Sequence, residues 1–164
     1  MSHSILHRAY VALGSNLAQP EAQVNQAFDA LARLPDTSLV ARSALYRTAP
    51  VGYADQPDFI NAVARIDTRF APHDLLHALL GLELEFGRVR EFRNAPRTLD
   101  LDLLLYDELQ FHEPGLTLPH PRMHERAFVL RPLLEIDPLC DIPGRGQARA
   151  WLAHCDDQSI IRVA

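Results

Sequence analysis

The run Arg97-Thr-Leu-Asp100-Leu-Asp102-Leu-Leu-Leu-Tyr106 sets two carboxylates two positions apart in an apolar stretch. Side chains alternate along a strand, so Asp100 and Asp102 should project from one face and Leu101, Leu103 and Leu105 from the other. Two neighbouring carboxylates repel unless a cation lies between them, and hard oxygen ligands on a rigid strand suit Mg²⁺, which keeps its remaining positions for water and phosphate oxygens. Just before them come Arg88, Arg90, Arg93 and Arg97, permanent charges with planar donors suited to phosphate oxygens. A solvated strand face and a solvated arginine loop are the plain alternatives for each feature alone. Side by side, the two describe a polyphosphate site.

A second set of residues points to a flat ligand. Phe59 and Asn61 lie two apart in a strand-like run, offering an apolar surface beside an amide that can pair with both a ring carbonyl and a ring N–H. Phe59 and Phe128 could equally be core residues. His120, stiffened by Pro119 and Pro121 and followed by Arg122 and Arg126, could donate to a phosphate oxygen. The spaced pairs His73/His77 and His120/His124 lack a third zinc ligand in sequence.

These side chains need a scaffold. Ala9–Leu13 reads as a buried strand closed by Gly14-Ser15-Asn16. Pro20 opens a helix whose Val24, Ala27, Phe28 and Leu31 share one apolar face. Strands are expected at Leu39–Tyr46 and Phe59–Ile66, joined by a proline-rich loop too long for a tight hairpin. Pro72 opens a second helix, with Leu76, Leu79, Leu80 and Glu83 on one stripe and Gly87 ending it; a carboxylate at the end of an apolar face is unusual. Leu99–Tyr106 is the next strand, Arg126–Leu134 a helix, Gln147–His154 a short helix and Ile160–Val163 a terminal strand. The order β-α-β-β-α-β predicts an α+β fold with a ferredoxin-like core, an antiparallel sheet with helices on one face, plus a C-terminal extension.

Composition bounds the partners. With 164 residues, 48% hydrophobic and 23% charged, a single globular domain over 1–164 is expected. The net charge of -5 opposes binding to extended nucleic acid. All 16 basic residues are arginine, which excludes a P-loop or Schiff-base lysine. No signal-like or membrane-spanning apolar run is present, and Cys140 and Cys155 lack metal-like spacing, so a cytoplasmic, thiol-reduced protein without membrane contact is expected; a monomer is expected, though no residue pattern sets the oligomeric state.

Taken together, these residues resemble the 6-hydroxymethyl-7,8-dihydropterin pyrophosphokinase family of folate biosynthesis. The resemblance runs from Ala9 to about Pro138. It rests on Ala12-Leu-Gly-Ser-Asn16, Leu45-Tyr-Arg-Thr48, Gln56-Pro-Asp-Phe-Ile-Asn61, Glu83 with Gly87-Arg-Val-Arg90, Pro96-Arg-Thr-Leu-Asp-Leu-Asp102 and Leu118-Pro-His120. It implies transfer of pyrophosphate from ATP to the hydroxymethyl oxygen of a dihydropterin, with AMP released and two Mg²⁺ ions at Asp100 and Asp102. It further implies that Thr48, Val51 and Asn61 line the pterin pocket and that Phe59 and Phe128 stack on the ring. Glu83, Arg90, Arg97, His120 and Arg126 would contact the nucleotide. Arg88 and Arg97 would act on the transferring phosphates, Arg88 from a mobile loop over residues 87–97. Asn94 and Pro121 depart from the family pattern, which often has Trp and Tyr there. The residues alone also admit another Mg-dependent nucleotidyl-transferring enzyme, or a non-catalytic ligand-binding module of the same fold.

Overall fold

In the computed structural model, described over residues 5–16, 19–49, 57–87 and 99–163, every strand of the main sheet runs antiparallel to its neighbours. The elements are β1 (His7–Ser15), α1 (Pro20–Ala32), β2 (Thr37–Arg42), β3 (Tyr46–Thr48), β4 (Phe59–Thr68), α2 (Pro72–Glu85) and β5 (Asp100–Tyr106). A small hairpin, β6 (Phe111–Glu113) and β7 (Leu116–Leu118), precedes a single helical turn at Met123–Glu125 and α3 (Ala127–Ile136). The chain closes with β8 (Asp141–Ile142), β9 (Gly146–Gln147), α4 (Ala148–Leu152) and β10 (Ile160–Arg162). The sheet order is β10-β3-β4-β1-β5, with β2 also paired to β4.

The long strand β4 therefore pairs with β1 along one edge and shares its other edge between two strands. β2 pairs its far half, Thr37 opposite Thr68, and β3 its near half, Thr48 opposite Phe59. The single strand expected over Leu39–Tyr46 is broken at Ser43–Leu45, where side chains take up backbone N–H groups. The Ser43 hydroxyl accepts from the Val63 N–H at 2.9 Å, and the Glu135 carboxylate of α3 accepts from the Ala44 N–H at 3.0 Å and the Tyr46 hydroxyl at 2.6 Å.

Helices cover both faces of the sheet, where one face was expected. On the first, α1 buries Val24, Ala27, Phe28 and Leu31 against Ala9, Val11, Leu13, Ala62, Ala64 and Ile66, the helix face read from the sequence. There α2 contributes Leu75, Leu79 and Leu82, a phase shift from the expected stripe that leaves Leu80 41% exposed. On the second face, α3 and the C-terminal segment pack Val129, Leu130, Leu133, Ile142 and Ala148 against Tyr10, Ala12, Val63 and Leu105. Leu105 was expected beside Leu101 and Leu103. A bulge in the β1–β5 ladder, where Tyr10 opposes Leu105 and Val11 opposes Leu103, adds one residue and turns Leu105 to the other side.

Several buried acids are held protonated. Burial, and for Tyr46 a hydrogen bond to Glu135, pushes the Tyr46 and Tyr106 hydroxyls up to about 12 from an ordinary 10.0. Burial raises the Cys140 thiol to about 12 from 9.0, and burial followed by bonding to Asp137 at 2.5 Å raises Tyr10 further still. A group whose pKa is higher folded than unfolded contributes stability that is complete below its unfolded value and is lost as pH rises toward the folded one. The urea midpoint is therefore expected to fall steadily between pH 9 and 12 and to be flat from pH 7 to 8.5. A midpoint unchanged at pH 11 would remove these groups from the stability of the fold. Among the described residues no helix is long and apolar enough to cross a membrane, and Cys140 and Cys155 are both buried free thiols.

Candidate active site

The second face of the sheet is covered by α3 over one half, and among the described residues the other half borders a cleft. Pairing puts that half's side chains in register: Asp100 opposes Gly14 and Asp102 opposes Ala12 on β1, Gly14 opposes Asn61 on β4, and Phe59 opposes Thr48 on β3. Paired residues in an antiparallel ladder share a face, so one sheet surface carries both carboxylates at one side and the aromatic and amide at the other. Ala12 and Gly14 form a low floor between them. A Cβ on Gly14 would stand 3.2 Å from Asn61 Oδ1, so a larger residue there would displace the amide.

This surface floors a cleft of about 600 Å³, of the size that takes a small-molecule ligand. Its lining includes Thr48, Phe59, Asn61, Asp100, Asp102, Arg126 and Phe128 among the residues anticipated from sequence. Arg122, Glu125 and Gln158 line it too and were not anticipated as site residues. They come from a single helical turn and from the C-terminal segment, and no local pattern marks them. Val51, Arg88, Arg90 and Arg97, with the loop expected to close over the phosphates, lie outside the described residues.

The polar geometry suits a flat heteroaromatic edge. Asn61 Nδ2 donates to Thr48 Oγ1 at 2.8 Å in a buried pair, which directs Asn61 Oδ1 as an acceptor and the Thr48 hydroxyl proton as a donor. Phe128 stands in the first turn of α3, half-buried against the second core, with the Arg126 guanidinium carbon 5.4 Å from its ring centroid. That contact joins a residue expected on the nucleotide to one expected on the pterin.

His120 lies near Asp102. Its N–H donates to the Leu104 carbonyl at 2.8 Å, and its Nδ1 accepts from the Arg122 N–H at 3.2 Å. Burial holds the ring below its ordinary 6.5; Asp102 pulls upward, while Arg126 and Arg122 add to the depression. The ring is thus neutral at pH 7 with its proton on Nε2, a hydrogen-bond donor.

Glu83 is 4% exposed on α2, and its Oε2 accepts from the Leu101 N–H at 2.7 Å, between the two aspartates. It is absent from the cleft lining and holds β5 from behind.

Asp100 and Asp102 fit Mg²⁺. They are hard oxygens on one strand face at the floor of an open cleft, and among the described residues no group of three or more ligands forms the closed cage that a structural zinc would need. The histidine pairs join no such group either.

Comparison with known proteins gives the family. The family model for 7,8-dihydro-6-hydroxymethylpterin-pyrophosphokinase matches residues 10–138. The chain is 51% identical to the 2-amino-4-hydroxy-6-hydroxymethyldihydropteridine pyrophosphokinase of Pseudomonas aeruginosa over 97% of this chain and 98% of that one. It is 49% identical to the protein of the same name from Haemophilus influenzae, over 94% and 97%. A solved Plasmodium falciparum HPPK-DHPS chain shares the fold with a TM-score of 0.73 at 13% identity, matching 92% of this chain and 42% of that longer one. The chain belongs to the 7,8-dihydro-6-hydroxymethylpterin-pyrophosphokinase family.

Proposed function

We propose that the cleft joins ATP to 6-hydroxymethyl-7,8-dihydropterin, the pyrophosphokinase step of folate biosynthesis that family membership assigns to this chain. The hydroxymethyl oxygen attacks the β-phosphorus of ATP, the bond from that phosphorus to the α,β-bridging oxygen breaks, AMP leaves with the bridging oxygen, and the hydroxyl proton is lost to solvent. One observation carries the reading: a ring-binding wall and a carboxylate pair share one sheet face and one cleft.

Thr48 and Asn61, with Val51, hold the pterin edge, and Phe59 and Phe128 stack on its faces. Arg126, His120 through Nε2–H, Arg90 and Arg97 hold the nucleotide, Glu83 serves that side by bracing β5 from outside the cleft, and Arg88 and Arg97 stabilise charge on the transferring group. Two Mg²⁺ ions, when bound at Asp100 and Asp102, supply charge to the phosphate oxygens. The protein contributes positioning and electrostatics, since the nucleophile is a simple alcohol and no strong base is needed. The core is a ferredoxin-like βαββαβ unit within a single domain over 1–164, supported by β5-β1-β4 order with β2 and β3 together outside β4.

The test is product identity. Purified protein with ATP, Mg²⁺ and the dihydropterin should release AMP and a pterin diphosphate; release of ADP would mean monophosphoryl transfer and sink the assignment. Phe128→Ala is expected to weaken pterin binding by about 1 to 3 kcal/mol, the loss of a desolvated aromatic contact. Nucleotide affinity should fall by less, about 0.5 to 1 kcal/mol, since Arg126 loses only the ring beneath it. Calorimetry on both ligands checks this, and equal losses would locate the damage in the fold.

A further inference from the structure

The turn that carries Arg126 and Phe128 has no cap of its own. Arg126 is the extended residue before α3, with φ -122° and ψ 112°, and its side chain makes no capping hydrogen bond. The first N–H groups of a helix lack intrahelical partners, so another group must take them. The group is Gln158, 31 residues downstream: its Oε1 accepts from the Ala127 N–H at 2.8 Å, and its Nε2 donates to the Glu125 carbonyl at 2.8 Å. One amide thus grips the backbone on both sides of Arg126.

Gln158 is itself held. Its N–H donates to the Cys155 carbonyl at 3.0 Å, closing a turn after the buried Cys155. Two residues later Ile160 pairs with Thr48 as β10 joins the sheet. The C-terminal segment therefore touches both walls of the ring site, through β10 on the Thr48 strand and through Gln158 on the Phe128 turn. The remaining surface of Gln158 lines the main cleft and a neighbouring cleft of about 520 Å³ behind it.

We propose that Gln158 is a positioning residue for the reaction: its two-sided grip on Glu125 and Ala127 sets the turn that presents Arg126 and Phe128 to the cleft, and thereby sets the affinity for pterin and nucleotide together. The inference rests on the reading of the cleft given above. Arg126 and Phe128 move as one because the guanidinium lies on the ring, so freeing the turn loosens both ligands at once. An ordinary surface hydrogen bond would cost a little stability and leave both affinities alone.

The experiment compares Gln158→Leu, which removes both bonds, with Gln158→Glu, which keeps an acceptor for Ala127 but turns a carboxylate oxygen toward the Glu125 carbonyl. Val163→Ala, which trims apolar packing after β10 without touching the turn, is the control for a loosened C-terminus. Amide exchange across residues 126–130 is followed in the ligand-free protein, and calorimetry gives the Kd of a non-hydrolysable ATP analogue and of a dihydropterin analogue. Gln158→Leu should speed exchange at Ala127 and raise both Kd values by about tenfold, the worth of one to two neutral hydrogen bonds. Gln158→Glu should fall between Leu and the unmodified protein, and Val163→Ala should lower Tm with both Kd values unchanged. Unchanged exchange, or faster exchange with unchanged Kd values, overturns the proposal, as does an equal Kd rise in Val163→Ala. If the unmodified protein binds neither ligand, the reading of the cleft fails and the affinity half of the proposal with it, while the exchange arm still decides whether Gln158 holds the turn.

Discussion

Asp102→Asn is expected to lower turnover by about 100-fold or more, and Asp100→Asn to do the same, because each removes one negative charge from the pair that suits Mg²⁺. Asp102 opposes Ala12 and Asp100 opposes Gly14, two residues whose side chains carry no oxygen. The amide of Asn keeps the shape and one acceptor oxygen, which separates loss of charge from loss of packing. Binding of the dihydropterin should change far less, since the wall proposed for it is Thr48, Asn61 and the two phenylalanines. The check is turnover across a Mg²⁺ titration together with calorimetry of Mg²⁺ in the presence of a non-hydrolysable ATP analogue. A variant with nearly full turnover at saturating Mg²⁺ would take that residue out of the metal assignment.

How far the sequence reaches depends on the range of the interaction being read. The face of α1 was legible because Val24, Ala27, Phe28 and Leu31 follow an unbroken helical period with nothing competing for it. The face shared by Asp100 and Asp102 was legible for the same reason, since strand alternation holds over two residues. It failed by Leu105, where a bulge that depends on the pairing with Tyr10 and Val11 shifts the count by one. The break between β2 and β3 was invisible because its causes, the Ser43 hydroxyl on the Val63 N–H and Glu135 on the Ala44 N–H, join residues 20 and 91 apart. The helices over the second face were visible as elements, but which face they would cover was not, because that depends on a chain reversal after β7. The chemistry split in the same way. Local residue types were enough to expect a phosphate side and a ring side, whereas the individual roles came through resemblance to a family. Gln158 had no signal at all, being a glutamine in a polar stretch whose meaning comes from a turn 31 residues earlier.

Glu83 shows where a local oddity and a distant partner combine, and it yields the second large effect expected of this protein. A carboxylate 4% exposed at the end of an apolar helix face is costly unless it accepts strong hydrogen bonds. The Leu101 N–H at 2.7 Å supplies one. Among the described residues β5 pairs with β1 on one side alone, so the N–H groups it turns outward need partners from elsewhere. Glu83 takes the one that lies midway between Asp100 and Asp102. Glu83→Ala would leave that buried donor unsatisfied, and the expected loss of stability is about 1.5 to 3 kcal/mol, the range for a hydrogen bond to a charged group. Turnover should fall as well, because the two aspartates flank the freed residue, and the Mg²⁺ concentration for half-maximal rate should rise. Glu83→Gln keeps an acceptor oxygen and should lose less than half as much stability. The pair of variants separates a strand brace from a nucleotide contact. A contact predicts that Gln raises the KM for ATP with Tm unchanged, whereas a brace predicts that Ala lowers Tm and weakens Mg²⁺ together, with Gln mild in both. Urea unfolding and Mg²⁺-dependent kinetics on the two variants decide it, and an Ala variant as stable as the unmodified protein would show that β5 does not depend on Glu83.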